Sequence, residues 1–503
     1  MQSITYHVRQ TLGEVGPVFY LSVVLITSFV SFTAFNPSAV EQFAQQVLDT
    51  LAVKVGWMYL LVTSGFVIFA AFLAISRYGG FKLGAEDEPP EFSYTSWLAM
   101  IFSGGMGVGL VFWGVAEPMM HFNAPPLGIG EPRTAEAAQL GMRYAFFHWG
   151  FHQWANFTLV GLAIAYVRFR HNSHGLISET FRPLLGARVD KAWGKAIDIL
   201  AVISTIFGVA TTLGLGALQI NSGLARMEIV PYGVSSQFLI IAGIGVLFTL
   251  SAMTPLDKGI RYLSNLNMAL AAGLMLFVLI QGPTAFIFSD LTQTVGEYLG
   301  NIIEMSLVTT PYSSDNWVEQ WTMFYWAWGL SWAPFVGSFI ARISRGRTIR
   351  EFISGVMLMP VGLSMLWFST FGSSAIHVEL FSAGGIADAV AQEVPAGLYA
   401  LLEQLLQLLM AAVLLFSGGL MGLRTLSILA AFPFMLLMVL MAVALHRDLQ
   451  QELRRREQQD QLLRSRIERL LLRESEREAQ LRAEEEFHPT IPEESVEESP
   501  RTG

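Results

Sequence analysis

The sequence predicts an all-α polytopic membrane protein, and three observations carry that prediction. Hydrophobic residues make up 53% of the 503 residues and charged ones only 14%, a composition suited to a bilayer rather than to a soluble core. Apolar runs near the length needed to cross about 30 Å of hydrocarbon recur along the chain. Lys and Arg cluster between alternate pairs of these runs, the asymmetry produced when one face of the membrane is cytoplasmic.

The runs can be justified in order. Residues 1–16 are mixed in character and show no small-residue cleavage pattern, so they are expected to be a cytoplasmic terminus ahead of a retained first span, Val18–Phe35. Gly56–Ile75 and Tyr94–Trp113 follow. The latter is crowded with Gly104, Gly105, Gly107 and Gly109. Such glycines either let helices approach closely, the reading composition favours, or weaken the helix enough to unwind Gly105-Met106-Gly107 and expose backbone carbonyls at mid-membrane. Tyr144–Val167 carries Trp149, Trp154 and Phe157, which fall within an arc of about 140° at 100° per residue and can face one cavity. Ala196–Ile220, Phe238–Met253 and Leu266–Ile287 continue the series.

Residues 290–316 read as a loop with a short surface helix, its apolar side formed by Tyr298, Ile302, Ile303, Met305 and Leu307. Trp321–Ile343, Phe352–Ile376, Leu398–Gly419 and Leu426–Leu445 bring the count to eleven and close a membrane domain over 17–445. A highly charged cytoplasmic helix over 446–486 and a disordered acidic tail over 487–503 are expected after it.

Fifteen Lys and Arg lie in the N-terminus and even-numbered loops as far as Arg350, against Lys54, Arg133, Arg143 and Arg226 in the odd ones. The N-terminus is therefore expected inside. Eleven crossings would leave the Arg-rich tail outside, so one segment is expected not to cross. Leu398–Gly419, with Glu403, Gln404 and Gln407 in its first half, suits an interfacial or re-entrant helix, leaving ten crossings.

Several chemistries are excluded. The chain has no Cys, hence no disulfide or thiolate site, and its net charge of −9 offers no basic surface to nucleic acid. No nucleophile–base pair, phosphate loop or metal set marks an enzyme. His148 and His152, spaced i, i+4, could share a metal, but no third ligand is placed, and structural hydrogen bonding is the preferred reading; metal binding is not predicted. Glu117 and Asp198 are either proton sites or groups paired locally or near an interface.

The densest aromatic segment is Trp317–Arg350, with Trp317, Trp321, Trp326, Trp328 and Trp332 followed by Arg342, Arg345, Arg347 and Arg350. Trp321, Tyr325, Trp328 and Trp332 form one helical stripe. Such a wall of π faces can bind a cation that lacks N–H donors, a quaternary ammonium; the same stripe also suits helix packing or an interfacial belt.

Four runs carry a resemblance: GMGVGLVFWGVAEPMMHF from Gly105, FHWGFHQWA from Phe147, FGVATTLGLGALQIN from Phe207 and WTMFYWAWGLSWAPFVGSFIARISRGRTIREF from Trp321. Together they closely resemble the betaine/carnitine/choline transporter family. The resemblance implies two inverted five-helix repeats preceded by two extra helices, assembly as a homotrimer in the plasma membrane, and import of betaine, choline, carnitine or a similar compatible solute. It implies coupling to Na+, to H+ or to exchange, and no cofactor. In the family the ammonium sits in an aromatic box, which carries over to Trp149, Trp154, Phe157 and Trp332, beside the backbone of Gly105, Met106 and Gly107. Trp326 and Trp328 match the tryptophans of the outer entrance. The Arg-rich tail resembles cytoplasmic tails that sense osmotic state in some members.

Three departures from the family pattern stand out. Gly329 replaces one of a pair of tryptophans and implies a gap or larger pocket in the box. One sodium site matches at Thr205 and Phe335, but Val209 stands where a second hydroxyl is expected. A segment of several dozen residues is missing between Leu406 and Leu414; its hydroxyls would complete a second sodium site with carbonyls near Ser103 and Met106. These losses leave a competing expectation, a non-transporting relative that binds and senses a quaternary ammonium.

Overall fold

The computed structural model describes residues 16–416, except 106, 254–258 and 314, together with the isolated positions 473, 477 and 479. The segment Leu426–Leu445 and the tail beyond 487 lie outside the described residues, as do all but the last of residues 1–16 and nearly all of 446–486. Met1–Leu409 forms one compact unit, and Met410–Gly503 a second. Among the described residues the regular structure is helical, apart from a single antiparallel bridge between Lys82 and Thr348.

The helices are α1 (Pro17–Phe35), α2 (Pro37–Ile75), α3 (Tyr94–Gly105), α4 (Val108–Asn123), α5 (Ala135–His148), α6 (Phe151–Arg170), α7 (Ala192–Arg226), α8 (Val234–Met253), α9 (Gly259–Gln281) and α10 (Thr284–Leu307). After a π turn at Glu319–Met323 come α11 (Phe324–Arg342) and α12 (Ile349–Phe368), then a second π turn at Ser369–Ser373 and α13 (Ser374–Phe381), α14 (Ile386–Gln392) and α15 (Ala396–Phe416).

Three breaks in this series differ from the expected spans, and each has a local cause. The third span is two helices, α3 and α4, bent by 65° where the glycine run falls. Gly107, the N-cap of α4, has φ −128° and ψ −144°, outside the helical region. The fourth span is likewise divided: Tyr144–His148 belongs to α5, and Trp149-Gly150 turns the chain into α6. A Cβ at Gly150 would sit 2.5 Å from the Phe146 carbonyl oxygen, so only glycine fits that turn. The seventh span ends at Gly282-Pro283, where α9 and α10 are bent by 108°. Residues 290–307, expected within a loop carrying a short surface helix, continue α10; Tyr298 and Met305 are buried, while Ile303 and Leu307 are exposed.

Four stretches are long and apolar enough to cross a membrane: α1, Lys54–Ile75, α7 and Ile349–Phe381; the two bent pairs bring the described total to six. Helices α6 and α11 carry too many polar and indole groups to qualify by composition, because they face the interior: His152, Gln153, Asn156 and Trp328 are all buried. The two lie close enough that a Cβ at Gly337 would stand 2.8 Å from Gly161 N. By contrast α1 and α8 expose Phe19, Val24, Phe32, Phe238, Leu247 and Phe248, the contiguous apolar surface of a lipid-facing helix.

The basic loop after α11 packs into the fold. Arg347 is buried, with its guanidinium 4.8 Å from the Trp97 ring centre and a bond of 2.7 Å to the Phe92 carbonyl. Arg350 donates to the Ala74 carbonyl at 2.7 Å, and Arg345 pairs with Glu88 at 2.6 Å. Thr348 and Glu351 then form a capping box that starts α12.

Candidate functional site

Where the α3–α4 break meets α6 and α11, rings from three segments close on a cavity. Gly107, Trp149, Trp154, Phe157, Trp328 and Trp332 line it, with Gly109, Gln153 and Thr212. A Cβ at Gly109 would stand 2.8 Å from Cη2 of both Trp149 and Trp328, so the bare backbone there lets the two indoles meet, centres 5.9 Å apart at 84°. Trp154 and Phe157 meet edge-on at 5.4 Å. The cavity measures about 20 Å³, room for little more than one water; a trimethylammonium enters only when these rings part.

The candidate residues fall into distinct places. Trp149, Trp154, Phe157, Trp332 and Gly107 share the cavity. Trp149 reaches it from the turn before α6, not from the α6 face on which the expected arc placed it. Trp328, assigned to the outer entrance by resemblance, lines the cavity instead. Trp326 is fully buried, stacked on His152 with centres 5.2 Å apart. Gly329 does not leave a gap. A Cβ there would stand 2.6 Å from Nε2 and 2.7 Å from Cδ of Gln153, and closer still to Oε1, so the Gln153 carboxamide already occupies the room. Gly105 ends α3, and Met106 lies outside the described residues. Ser103 is partly buried on α3 and Thr205 on α7, whereas Phe335 is 52% exposed on α11.

The aromatic stripe also divides. Trp317, Trp321 and Tyr325 stack in a ladder with centres 6.4 Å apart at each step, and this ladder leads away from the cavity to Glu117. Glu117 is fully buried. Its Oε1 accepts from His148 Nδ1 at 2.6 Å, and its Oε2 from Trp149 Nε1 at 2.9 Å and the Tyr325 hydroxyl at 2.6 Å. His148 Nε2 lies 3.1 Å from the Thr322 hydroxyl inside the π turn. His152 instead meets the Ser306 hydroxyl at 2.9 Å, so the two histidines serve separate partners. His121 Nε2 stands 3.5 Å from Glu117 Oε1. The ligand atoms of Glu117, His121 and His148 lie within 4.8 Å of one another, but donors already occupy both oxygens of Glu117. The arrangement is an anchor that holds Trp149 against the cavity. Asp198 pairs locally, accepting from Ser178 N at 2.9 Å and Oγ at 2.8 Å.

Sequence reasoning missed Gln153, Thr212 and His121 as neighbours of the site. Gln153 sits inside the quoted run FHWGFHQWA, yet nothing in its spacing pairs it with Gly329.

An interior of broken helices with an aromatic cavity at the break is the architecture of a membrane transporter. The family model for betaine/carnitine/choline family transporters matches residues 17–408 and 405–454, and the chain belongs to that family. The two matched pieces meet where the segment is missing. A probable glycine betaine transporter of Desulfitobacterium hafniense is 47% identical over 388 residues, 77% of each chain. A glycine betaine transporter of Bacillus subtilis is 42% identical over 492 residues, 88% of this chain and 96% of that one. An ectoine/hydroxyectoine transporter of Virgibacillus pantothenticus is 37% identical over 500 residues, 90% of this chain and 99% of that one.

Proposed function

We propose that this chain imports a zwitterionic quaternary-ammonium compatible solute, of the glycine betaine type, as a secondary active transporter. The cavity walled by Trp149, Trp154, Phe157, Trp328 and Trp332 carries the reading. Ring faces stabilise a cation that offers no N–H, each desolvated contact contributing about 1–2 kcal/mol. The indole N–H groups of Trp328 and Trp332 are buried without partners, and a carboxylate is the ligand group that would satisfy them. The relatives named for glycine betaine transport agree with such a substrate, and one named for choline transport agrees with its quaternary ammonium.

Uptake of labelled glycine betaine and choline into transport-deficient cells, with Trp332→Ala as control, tests the proposal. Replacing Trp149, Trp154 or Trp332 by Ala is expected to weaken binding by about 1–2 kcal/mol, roughly five- to thirtyfold. Unchanged affinity in all three would remove the cavity from substrate binding.

Sodium is expected to matter little. The resemblance calls for a hydroxyl where Val209 stands and for another pair in the missing segment, so both inferred ion sites lack ligands. Uptake compared in sodium and potassium media reads this directly; a steep sodium requirement would mean that other groups complete the sites. We also propose a cytoplasmic N-terminus, from the Lys and Arg distribution, and homotrimeric assembly, from the family resemblance. Labelling of single introduced cysteines from each side of the membrane tests the first, and the mass of the detergent-purified protein the second.

A further inference from the structure

Gln153 is 7% exposed, lines the cavity, and its Oε1 has no hydrogen-bond partner. Its carboxamide is held there because α11 carries no side chain at Gly329. A buried carbonyl oxygen without a donor is costly, and a ligand that supplies the donor recovers that cost. The rings around it stabilise any cation, methylated or not, and discriminate weakly among them. The amide oxygen discriminates sharply, since it accepts a hydrogen bond from N–H and gains only a charge–dipole contact from N–CH₃.

We propose that Gln153 is a specificity residue whose Oε1 accepts a hydrogen bond from an N–H of the ligand's cationic group. The site then takes zwitterions bearing a dimethylammonium alongside trimethylammonium ones. This rests on the reading of the cavity as the substrate site. It goes beyond the expectation of a cation without N–H donors, because a site built around an acceptor favours the ligand that fills it.

Glycine betaine and N,N-dimethylglycine differ by one methyl in place of one N–H, and so isolate the contact. Dissociation constants for both are measured on the purified full chain, wild type and Gln153→Met, which keeps the side-chain length but removes the amide acceptor. The ratio of the dimethylglycine to the betaine constant is expected to rise about tenfold or more in Gln153→Met. Gln153→Glu, which restores an acceptor, is expected to return the ratio toward wild type. An unchanged ratio in Gln153→Met overturns the role of Gln153, as does a wild type that binds dimethylglycine about a hundredfold more weakly than betaine. A wild type that binds neither compound overturns the substrate reading of the cavity itself, and the two failures are thereby distinct.

Discussion

Gly329→Trp is expected to weaken glycine betaine binding about tenfold or more, and Gln153→Ala in the same chain is expected to restore most of it. From the sequence, Gly329 reads as a missing wall, and an added indole would tighten the box. The structure reverses the sign. A Cβ at 329 already stands 2.6 Å from Gln153 Nε2, so an indole must drive the carboxamide into a cavity of about 20 Å³. Overpacking of this kind costs about 1–3 kcal/mol, roughly five- to 150-fold in affinity. Gln153→Ala vacates the space, so the two effects are strongly non-additive, and a double-mutant cycle read by ligand titration measures the coupling. Additive losses would mean that the two positions do not share the space.

Glu117→Leu is expected to lower both thermal stability and substrate affinity, although Glu117 does not line the cavity. The substitution strips acceptors from three buried donors, His148 Nδ1, Trp149 Nε1 and the Tyr325 hydroxyl. Breaking such a network costs about 3–5 kcal/mol. Trp149 loses the bond that aims its ring, so affinity is expected to fall about as far as in Trp149→Ala, roughly five- to thirtyfold. Tyr325→Phe, which removes one donor and leaves the carboxylate paired, is expected to cost only about 1 kcal/mol. Melting temperature and betaine affinity are measured together. An unchanged affinity in Glu117→Leu would confine the cluster to stability alone.

These two experiments separate what was legible in the chain from what was not. The rings of Trp149, Trp154 and Phe157 could be picked out as a set, because aromatic residues on an apolar segment are written in the sequence itself, and the family resemblance joins Trp332 to them. The break at Gly105–Gly107 is only one of two readings of its glycines, and composition favours the other, close helix packing. The facing of the long aromatic stripe could not be picked out. Trp321 lies in a π turn, whose wider winding changes the 100° step assumed across it. A stripe extrapolated through that turn sends Trp321 to the cavity, whereas it packs on His121 with ring centres 4.3 Å apart; Tyr325, past the turn and on the same helix as Trp328, is drawn instead to Glu117 by its hydroxyl.

The sequence by itself determined the membrane class, the order of the apolar helices, the family and the aromatic composition of the cavity. Each is a property of local runs of residues, set by hydrophobicity and side-chain type. Only the tertiary structure decided that Gln153 fills the space beside Gly329, that Glu117, His121 and His148 meet, and that Trp328 faces the cavity. Those meetings join residues up to 176 positions apart, across breaks at 106–107 and 149–150 and a π turn at Glu319–Met323. Helical phase is lost at every such break, so which side chains meet is settled by how the helices pack.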